Sequence, residues 1–254
     1  MAEIPKRAFF YWGGKPLPWI RQQSIQSFRE LNPDWKVSVV ADDPLFPGDT
    51  VIKRSDIYRY RELADRGGAY FDSDIYFTRP MAEFMERVGD ADTVVCHEYA
   101  DKTNFVDSNG RVTTVDKRPM FYSVASLMSA PGNPFFRAAH EASLFMRHDP
   151  DMQSAGVWAL TERFGTLERA EAEFSLCNFY NVPRKAFLPI DFNDVRALFR
   201  KDSRLAKSLL ADPDVFGVHW YGGDACGRIA DKWTEETYWR DCAIGELLGR
   251  MVSV

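Results

Sequence analysis

The chain has 254 residues, of which 45% are hydrophobic and 14% aromatic, and this is enough to bury the core of one α/β domain. Its net charge is −5 and its sequence pI is about 5.5, which argues against a general nucleic-acid-binding protein. The sequence has neither an apolar run long enough to cross a membrane nor a signal-peptide core. We therefore expect a cytoplasmic protein with a single domain over residues 1–254.

The N-terminal part predicts a strand, a helix and a second strand. The strand is the apolar run 7–12, the helix covers about 19–31, and the second strand covers 36–41. Such crossovers are right-handed, and the carboxyl end of the first strand is where these sheets bind nucleotides. Tyr11 and Trp12 at that end therefore have two interpretations: core aromatics, or a ring that lies against a nucleobase.

The segment 55–76 predicts a helix, a glycine pair, a short strand and an acid pair, in that order. Ser55 is placed to cap the helix, and the strand ends at Asp72 and Asp74. Residues i and i+2 of a strand share a face, so we expect both carboxylates to point the same way. Their repulsion favours a divalent ion between them, and oxygen ligands suit Mg²⁺ or Mn²⁺ rather than zinc.

The remaining elements follow from apolar periodicity and turn residues. They are a helix at 80–88, a strand at 92–97, a polar loop or β-ribbon at 99–119 with a turn at Asn109-Gly110, a strand at 120–130, a helix at 135–146, an amphipathic helix at 191–210, a strand at 214–220 and a closing helix at 234–248. The basic residues between Arg196 and Lys207 form one face of the amphipathic helix. We interpret this face as solvated, the alternative being a dock for an anionic acceptor or a membrane surface.

Polar residues cluster again after the late strand. His219 ends that strand and has two interpretations, a satisfied core residue or a metal ligand. Imidazole together with carboxylates fits Mn²⁺ better than Mg²⁺. Gly222 and Gly223 would let backbone amides approach a diphosphate closely, and Lys232 would supply a cation.

The segment 55–74 closely resembles the signature of GT-A glycosyltransferases that carry a DxD motif. Those enzymes have Ser-Asp-x-x-Arg-Tyr on a helix, followed by Gly-Gly-x-Tyr-x-Asp-x-Asp. The matching positions are Ser55, Asp56, Arg59, Tyr60, Gly67, Gly68, Tyr70, Asp72 and Asp74. The nearest versions are the Och1-like mannosyltransferases, the related capsular polysaccharide transferases and the catalytic domains of large clostridial glucosylating toxins. Residues 154–161 resemble a further Ser-Gly-Pro element of the family, with Val157 in place of the proline.

This resemblance implies a Rossmann-like GT-A domain, a mixed central sheet flanked by helices. It also implies a retaining, metal-dependent transferase that moves a sugar from a nucleoside-diphosphate sugar to a glycan or lipid-linked acceptor, in polysaccharide or glycoconjugate synthesis. We favour a UDP-sugar, with a GDP-sugar as the alternative donor, and Mn²⁺ or Mg²⁺ as the cofactor. The implied metal ligands are Asp72, Asp74 and His219.

The resemblance also implies roles for individual residues. Asp56 and Arg59 would grip the sugar hydroxyls and, together with Asp72, form the catalytic set. Further donor-binding residues would be Tyr11, Trp12, Ser55, Tyr70, Gly222, Gly223 and Lys232, with the ring of Trp12 favoured for stacking on the base.

Two alternative functions remain open from the sequence. One is a haloacid-dehalogenase-type phosphatase, whose Asp-x-Asp also binds Mg²⁺. That pattern normally lies on the first strand, whereas Asp72 and Asp74 follow the third, and His219 would have no role there. The other is a non-catalytic domain that binds a sugar nucleotide.

Overall fold

The computed structural model describes residues 3–13, 16–40, 46, 48–98, 103–106, 112–115, 121–201 and 204–252. The strands are β1 (Arg7–Tyr11), β2 (Lys36–Val40), β3 (Gly68–Phe71), β4 (Ile75–Phe77), β5 (Thr93–Glu98), β6 (Thr103–Val106), β7 (Val112–Val115), β8 (Phe121–Ser129), β9 (Phe179–Asn181) and β10 (Gly217–His219). The helices are α1 (Trp19–Leu31), α2 (Val51–Arg66), α3 (Met81–Val88), α4 (Pro134–Met146), α5 (Ala159–Phe164), α6 (Leu167–Glu173), α7 (Arg204–Ala211), α8 (Ala225–Ala230) and α9 (Ala243–Val252).

The fold is α/β, with a mixed central sheet of six strands in the order β2-β1-β3-β8-β5-β9, flanked by helices. The sheet is mixed because β5 pairs antiparallel with β8 and parallel with β9. Two smaller sheets pair β10 with β4 and β6 with β7. The expected α/β architecture is therefore confirmed.

The chain divides into two compact units. Unit 1 comprises Met1–Arg7, Ala41–Tyr70 and Asp90–Pro183. Unit 2 comprises Ala8–Val40, Phe71–Gly89 and Arg184–Val254. The expectation of a single domain over residues 1–254 stays a prediction.

Aromatic packing fixes the strands that matter most in unit 2. Phe71 at the end of β3 and Phe77 at the end of β4 have ring centroids 5.0 Å apart at an interplanar angle of 81°. Phe28 on α1 lies 5.5 Å from Phe71 and 4.8 Å from Phe77, edge-on to the latter. All three rings are buried. Because such pairs stabilise more than their buried area alone, they anchor both sides of the turn that carries the acid pair.

Close backbone contact positions α2 in unit 1. Gly67 ends α2 with φ +63°, and a Cβ there would lie 2.6 Å from the backbone of Ser129 and of Pro131. The hydroxyl of Ser129 donates to the carbonyl of Leu63 at 2.6 Å. A residue larger than glycine would push α2 away from β8. This close packing explains why the first position of the Gly-Gly pair is a glycine.

Helix α2 begins earlier than its sequence predicts. Thr50 is the N-cap, and its side chain accepts a hydrogen bond from the amide of Lys53 at 3.3 Å. The prediction that Ser55 caps this helix is therefore wrong, since Ser55 lies one turn inside it. Its hydroxyl is engaged by other side chains, described below.

The two predicted C-terminal helices are also corrected. Residues 191–210 form a 3₁₀ segment, Phe192–Phe199, and α7, separated by Arg200 in an extended conformation at φ −79° and ψ 150°. The basic side chains of this region are exposed, as the amphipathic pattern indicates. The closing helix begins at Ala243 rather than at residue 234, because the hydroxyl of Thr237 instead holds the amide of Thr234 in a turn.

The predicted β-ribbon is confirmed where the structure describes it. Strands β6 and β7 pair antiparallel, with Thr103 opposite Val115 and Val106 opposite Val112. The predicted turn at Asn109-Gly110 lies outside the described residues. Among the described helices, none combines the length and apolar character that a bilayer crossing requires.

Candidate functional site

The acid pair lies on a tight turn between β3 and β4. The amide of Ile75 donates to the carbonyl of Asp72 at 3.2 Å, which closes the turn around Ser73. The expectation that Asp72 and Asp74 share one face of a strand is therefore wrong, because both residues lie in the turn and not in a strand. Their carboxylates do converge, but the turn brings them together.

Strand pairing brings His219 to the same turn. Strand β10 runs antiparallel to β4, and His219 lies opposite Ile75 in the register. The next amide, that of Trp220, donates to the carbonyl of Asp74 at 3.0 Å. His219 is thus fixed beside the acid pair by backbone hydrogen bonds.

The three side chains form a candidate metal site. One ligand atom from each of Asp72, Asp74 and His219 can be chosen so that all lie within 4.8 Å of one another. Nε2 of His219 lies 3.1 Å from Oδ1 of Asp74 and 4.0 Å from Oδ2 of Asp72. Two carboxylates and one imidazole form a donor set that fits Mn²⁺ or Mg²⁺, with the nitrogen favouring Mn²⁺. The geometry therefore fits the metal set that the sequence predicts.

Asp74 and His219 each stabilise the charged form of the other. Burial alone would raise the pKa of Asp74, but His219, Arg21 and the amide of Gly222 outweigh it, and that pKa is lowered. Burial alone would lower the pKa of His219, whereas Asp74 and Asp72 outweigh it and raise that pKa. Without a cation, the imidazole therefore neutralises part of the negative charge.

Arg21 and Asp231 complete what we call the acid cluster, defined as Arg21, Asp72, Asp74, His219 and Asp231. The guanidinium of Arg21 binds both carboxylate oxygens of Asp231, at 2.8 and 3.2 Å, and donates to the hydroxyl of Ser73 at 2.8 Å. The amide of Gly222 donates to Oδ2 of Asp74 at 2.6 Å. Every residue of this cluster belongs to unit 2.

Unit 1 holds a second polar cluster, the Asp56–Arg59 cluster, defined as Ser55, Asp56, Arg59, Tyr70 and Gly156. Arg59 pairs with Asp56 at 2.9 Å, one turn apart on α2, and its guanidinium lies 4.1 Å from the centroid of the Tyr70 ring. The hydroxyls of Ser55 and Tyr70 are 3.1 Å apart, and Arg59 donates to the Ser55 hydroxyl at 3.2 Å. These side chains are buried.

Gly156 closes the Asp56–Arg59 cluster. A Cβ at Gly156 would lie 2.6 Å from Oδ2 of Asp56, so the glycine lets the backbone lie against that carboxylate. Gly156 has φ −102° and ψ −105° inside the π-helical turn Ser154–Trp158, and its carbonyl accepts from the hydroxyl of Tyr60 at 3.1 Å. This turn is the segment in which Val157 replaces the proline of the resemblance.

The other predicted donor-binding residues have varied settings. Tyr11 is buried in the core of unit 2, whereas Trp12 is partly exposed and its ring lies 4.5 Å from the guanidinium of Arg21. The amide of Gly222 is engaged by Asp74. Gly223 is exposed in the turn before α8, and Lys232 is exposed after it.

Sequence reasoning missed Arg21, Asp231, Ser73 and Gly156. Arg21 does carry a sequence signal. It lies in the first turn of α1, where the helix dipole disfavours a cation and where this helix has no acidic residue. A basic residue in that position indicates a specific anionic partner, although its spacing cannot identify Asp231, which is 210 positions away.

No protein-family model matches the chain, and neither does any curated protein. Among solved structures, it is similar to the PaToxG glycosyltransferase at 13% identity, covering 68% of this chain and 75% of that one, with a TM-score of 0.45. It is similar to a glycosyltransferase involved in glycosylating the major capsid of PBCV-1 at 10% identity, covering 90% and 99%, with a TM-score of 0.44. It is also similar to the glycosyltransferase GlyE of Streptococcus pneumoniae TIGR4 at 9% identity, covering 99% and 64%, with a TM-score of 0.45. These TM-scores are low, so the function proposed below rests on the side chains and on the sequence resemblance.

Proposed function

We propose that the chain is a metal-dependent, retaining glycosyltransferase that takes a sugar from a nucleoside-diphosphate sugar, with a UDP-sugar favoured. Its acceptor is a glycan or a lipid-linked sugar, in polysaccharide or glycoconjugate synthesis. The observation that carries the proposal is the convergence of Asp72, Asp74 and His219 from two segments about 145 positions apart in the sequence. Two acids on a turn are common, but an added imidazole within bonding range is a more specific arrangement.

The three candidate ligands of the acid cluster differ in how rigidly they are held and in how exposed they are. Asp74 is fixed by the amide of Gly222, and His219 by the pairing of β10 with β4. The side chain of Asp72 is 26% exposed, against 11% for Asp74 and 9% for His219, so it faces solvent most openly. A bound divalent ion there would act as a Lewis acid that neutralises the leaving diphosphate.

The remaining roles rest on the resemblance. Asp56 and Arg59 hold the sugar hydroxyls. Ser55 and Tyr70, whose hydroxyls lie 3.1 Å apart, help to hold the nucleotide or its phosphate. Trp12, whose ring is partly exposed, stacks on the base. Gly223 and Lys232 face the diphosphate, and Gly222 acts through its bond to Asp74.

The test is thermal unfolding with a panel of UDP- and GDP-sugars, each with and without Mn²⁺. A ligand at a hundred times its Kd adds about 2.7 kcal/mol of stability. For a chain of this size that corresponds to a rise in Tm of roughly 5–10 °C. We expect one donor to produce this rise only with Mn²⁺, and the Asp72→Asn/Asp74→Asn variant to lose it.

A second Asp-x-Asp in unit 2 provides the matched control. Asp212 and Asp214 both pair with Lys185, at 2.7 and 3.5 Å. The variant Asp212→Asn/Asp214→Asn removes the same charge at the same spacing and should keep the response of the wild type. If no donor stabilises the wild type with Mn²⁺, the proposal fails, and phosphatase assays become the next measurement.

The basic face of residues 196–207 suggests a peripheral membrane contact for a cytoplasmic transferase that uses lipid-linked acceptors. Arg196, Arg200 and Lys207 are exposed there. Basic residues near an anionic bilayer contribute about 1 kcal/mol each. Sedimentation with anionic vesicles should therefore retain the wild type and release the variant Arg196→Gln/Arg200→Gln/Lys207→Gln. Equal retention of the two would remove this contact from the proposal.

A further inference from the structure

All three nitrogen atoms of the Arg21 guanidinium contact neighbouring side chains. Its side chain is 9% exposed. Nε and Nη2 bind the two carboxylate oxygens of Asp231, Nη1 donates to Ser73, and the same Nη1 lies 4.0 Å from Oδ1 of Asp74. A fixed positive charge thus lies beside one of the candidate metal ligands.

Two tryptophan rings hold the guanidinium in this position. Its central carbon lies 4.5 Å from the centroid of Trp12 and 5.0 Å from that of Trp220. The indole of Trp220 is itself fixed, since its Nε1 donates to the hydroxyl of Ser24 at 3.0 Å. Gly222 also packs so closely against the guanidinium that a Cβ there would clash with it. A planar guanidinium suits both the stacking and the two-pronged bond to Asp231.

The charge of Arg21 acts against a cation at the acid pair. Because it lies 4.0 Å from Asp74, it attracts the same carboxylate that a metal would use, and it repels the metal. Asp231 acts in the opposite sense, since its two hydrogen bonds hold the guanidinium toward α8 and its own negative charge offsets the positive one.

We propose that Arg21 and Asp231 tune the affinity of the acid cluster for a divalent cation in opposite directions. Arg21 weakens binding of the free ion, and Asp231 limits that weakening. The inference rests on the proposed function, because it takes Asp72, Asp74 and His219 as the metal ligands. It implies that the free ion binds weakly and that a diphosphate, which adds negative charge, strengthens its binding.

The experiment is calorimetric titration of the full chain with MnCl₂ alone, at fixed pH and ionic strength. We expect the Kd for Mn²⁺ to fall about tenfold in Arg21→Gln, as a unit charge 4.0 Å from Asp74 implies. It should rise in Asp231→Asn by a comparable factor, about tenfold, because that variant leaves the charge of Arg21 without its partner. The double variant Arg21→Gln/Asp231→Asn should return to within about threefold of the wild type, because the two charges cancel. Arg21→Lys loses the planar fork but keeps the charge, and because the proposed effect is that of the charge, the Kd should also stay within about threefold.

The exposed pair Lys201 and Asp241, 2.9 Å apart, provides the matched control. Lys201→Gln and Asp241→Asn make the same charge changes at the surface, where solvent and salt screen them, and should move the Kd less than about twofold. If Arg21→Gln and Asp231→Asn both weaken Mn²⁺ binding, Arg21 serves to position the metal ligands and the inference is wrong. If Arg21→Gln does not fold, Asp231→Asn decides, since unchanged or tighter binding there overturns the inference.

This outcome is separate from that of the proposed function. The function fails when no nucleotide sugar binds with metal, whereas this inference fails on the direction of changes measured without any nucleotide. If neither the wild type nor Arg21→Gln binds free Mn²⁺, this inference is overturned, and the function is still decided by the unfolding test with nucleotide sugars and metal.

Discussion

The two polar clusters differ in the balance of their charges. In the acid cluster the three carboxylates of Asp72, Asp74 and Asp231 outnumber the guanidinium of Arg21 and the imidazole of His219 together. In the Asp56–Arg59 cluster one carboxylate meets one guanidinium at 2.9 Å. An excess of negative charge favours a cation, whereas a neutral pair with hydroxyls around it favours uncharged hydrogen-bonding groups.

The clusters also differ in exposure. The side chains of Asp72 and Asp231 are 26% and 23% exposed, whereas those of Asp56 and Arg59 are 2% and 5% exposed. A solvated carboxylate tolerates the loss of its partner, but a buried one does not. The comparison therefore predicts that substitutions in the Asp56–Arg59 cluster mainly reduce stability, while those of the partly exposed acids Asp72 and Asp231 mainly change metal binding.

The largest expected effect is that of Arg59→Met. It leaves the carboxylate of Asp56 buried without its guanidinium, which costs about 3–5 kcal/mol. Arg66→Met on the same helix is the control, because Arg66 is 69% exposed and pairs with Glu62 at 3.6 Å. That surface pair contributes at most about 1 kcal/mol. Urea unfolding measures both variants, and equal losses would break the comparison.

The second-largest effect is expected at Asp74, and it distinguishes Asp74 from Asp72 in the same turn. Asp74 accepts from Gly222 and pairs with His219, so Asp74→Asn should cost the metal-free protein about 2 kcal/mol, the usual contribution of hydrogen bonds to a charged group. Asp72→Asn should cost less than about 1 kcal/mol, because Asp72 is more exposed and its loss relieves repulsion. Both variants should lose the response to Mn²⁺.

The measurement is urea unfolding in the presence of EDTA, followed by titration with Mn²⁺. A stability loss in Asp72→Asn as large as that in Asp74→Asn would mean that both acids are structural. Mn²⁺ binding that survives both substitutions would place the metal elsewhere.

The sequence predicts the residue types of the candidate metal site better than the strand pairing that brings them together. The order of helix, Gly-Gly, strand and acid pair is readable because apolar runs and glycines are local signals. The pairing of β10 with β4, which brings His219 to Asp74, joins segments about 140 positions apart and leaves no local signal. Strand β4 itself has three residues and was not predicted.

The predicted start of helix α2 is wrong for a related reason. Ser55 satisfies every local requirement of an N-cap, yet Thr50 takes that position and Ser55 is used by Tyr70 and Arg59. Likewise the position of Arg21 in the first turn of α1 indicates an anionic partner but does not show that the side chain is buried. Its burial becomes evident only when Trp12, Trp220 and Asp231 are brought around it. Tertiary contacts decide both cases.

A smaller effect is expected at the glycine that closes the Asp56–Arg59 cluster. A Cβ at Gly156 would lie 2.6 Å from the carboxylate of Asp56, so Gly156→Ala should cost about 1–2 kcal/mol by overpacking. In an Asp56→Ala background the same substitution should cost much less, because the clashing atoms are gone. A double-mutant cycle measures this coupling, and additive losses would show that Gly156 is needed for its backbone conformation alone.

The smallest effect is expected at the corresponding glycine of the acid cluster. Gly222→Ala meets the guanidinium of Arg21, whose hydrogen bonds to Asp231 and Ser73 must loosen to make room. We therefore expect a change of about threefold in the Kd for Mn²⁺, smaller than in Arg21→Gln because the charge is displaced and not removed. Gly223→Ala is the control, since a Cβ there meets nothing within 4 Å. Because the shifted guanidinium leaves Asp231, the Kd for Mn²⁺ should change in Gly222→Ala but not in Gly223→Ala. An Arg21→Gln background should abolish that difference, and if it persists there, Gly222 acts on the metal site through its amide bond to Asp74 rather than through Arg21.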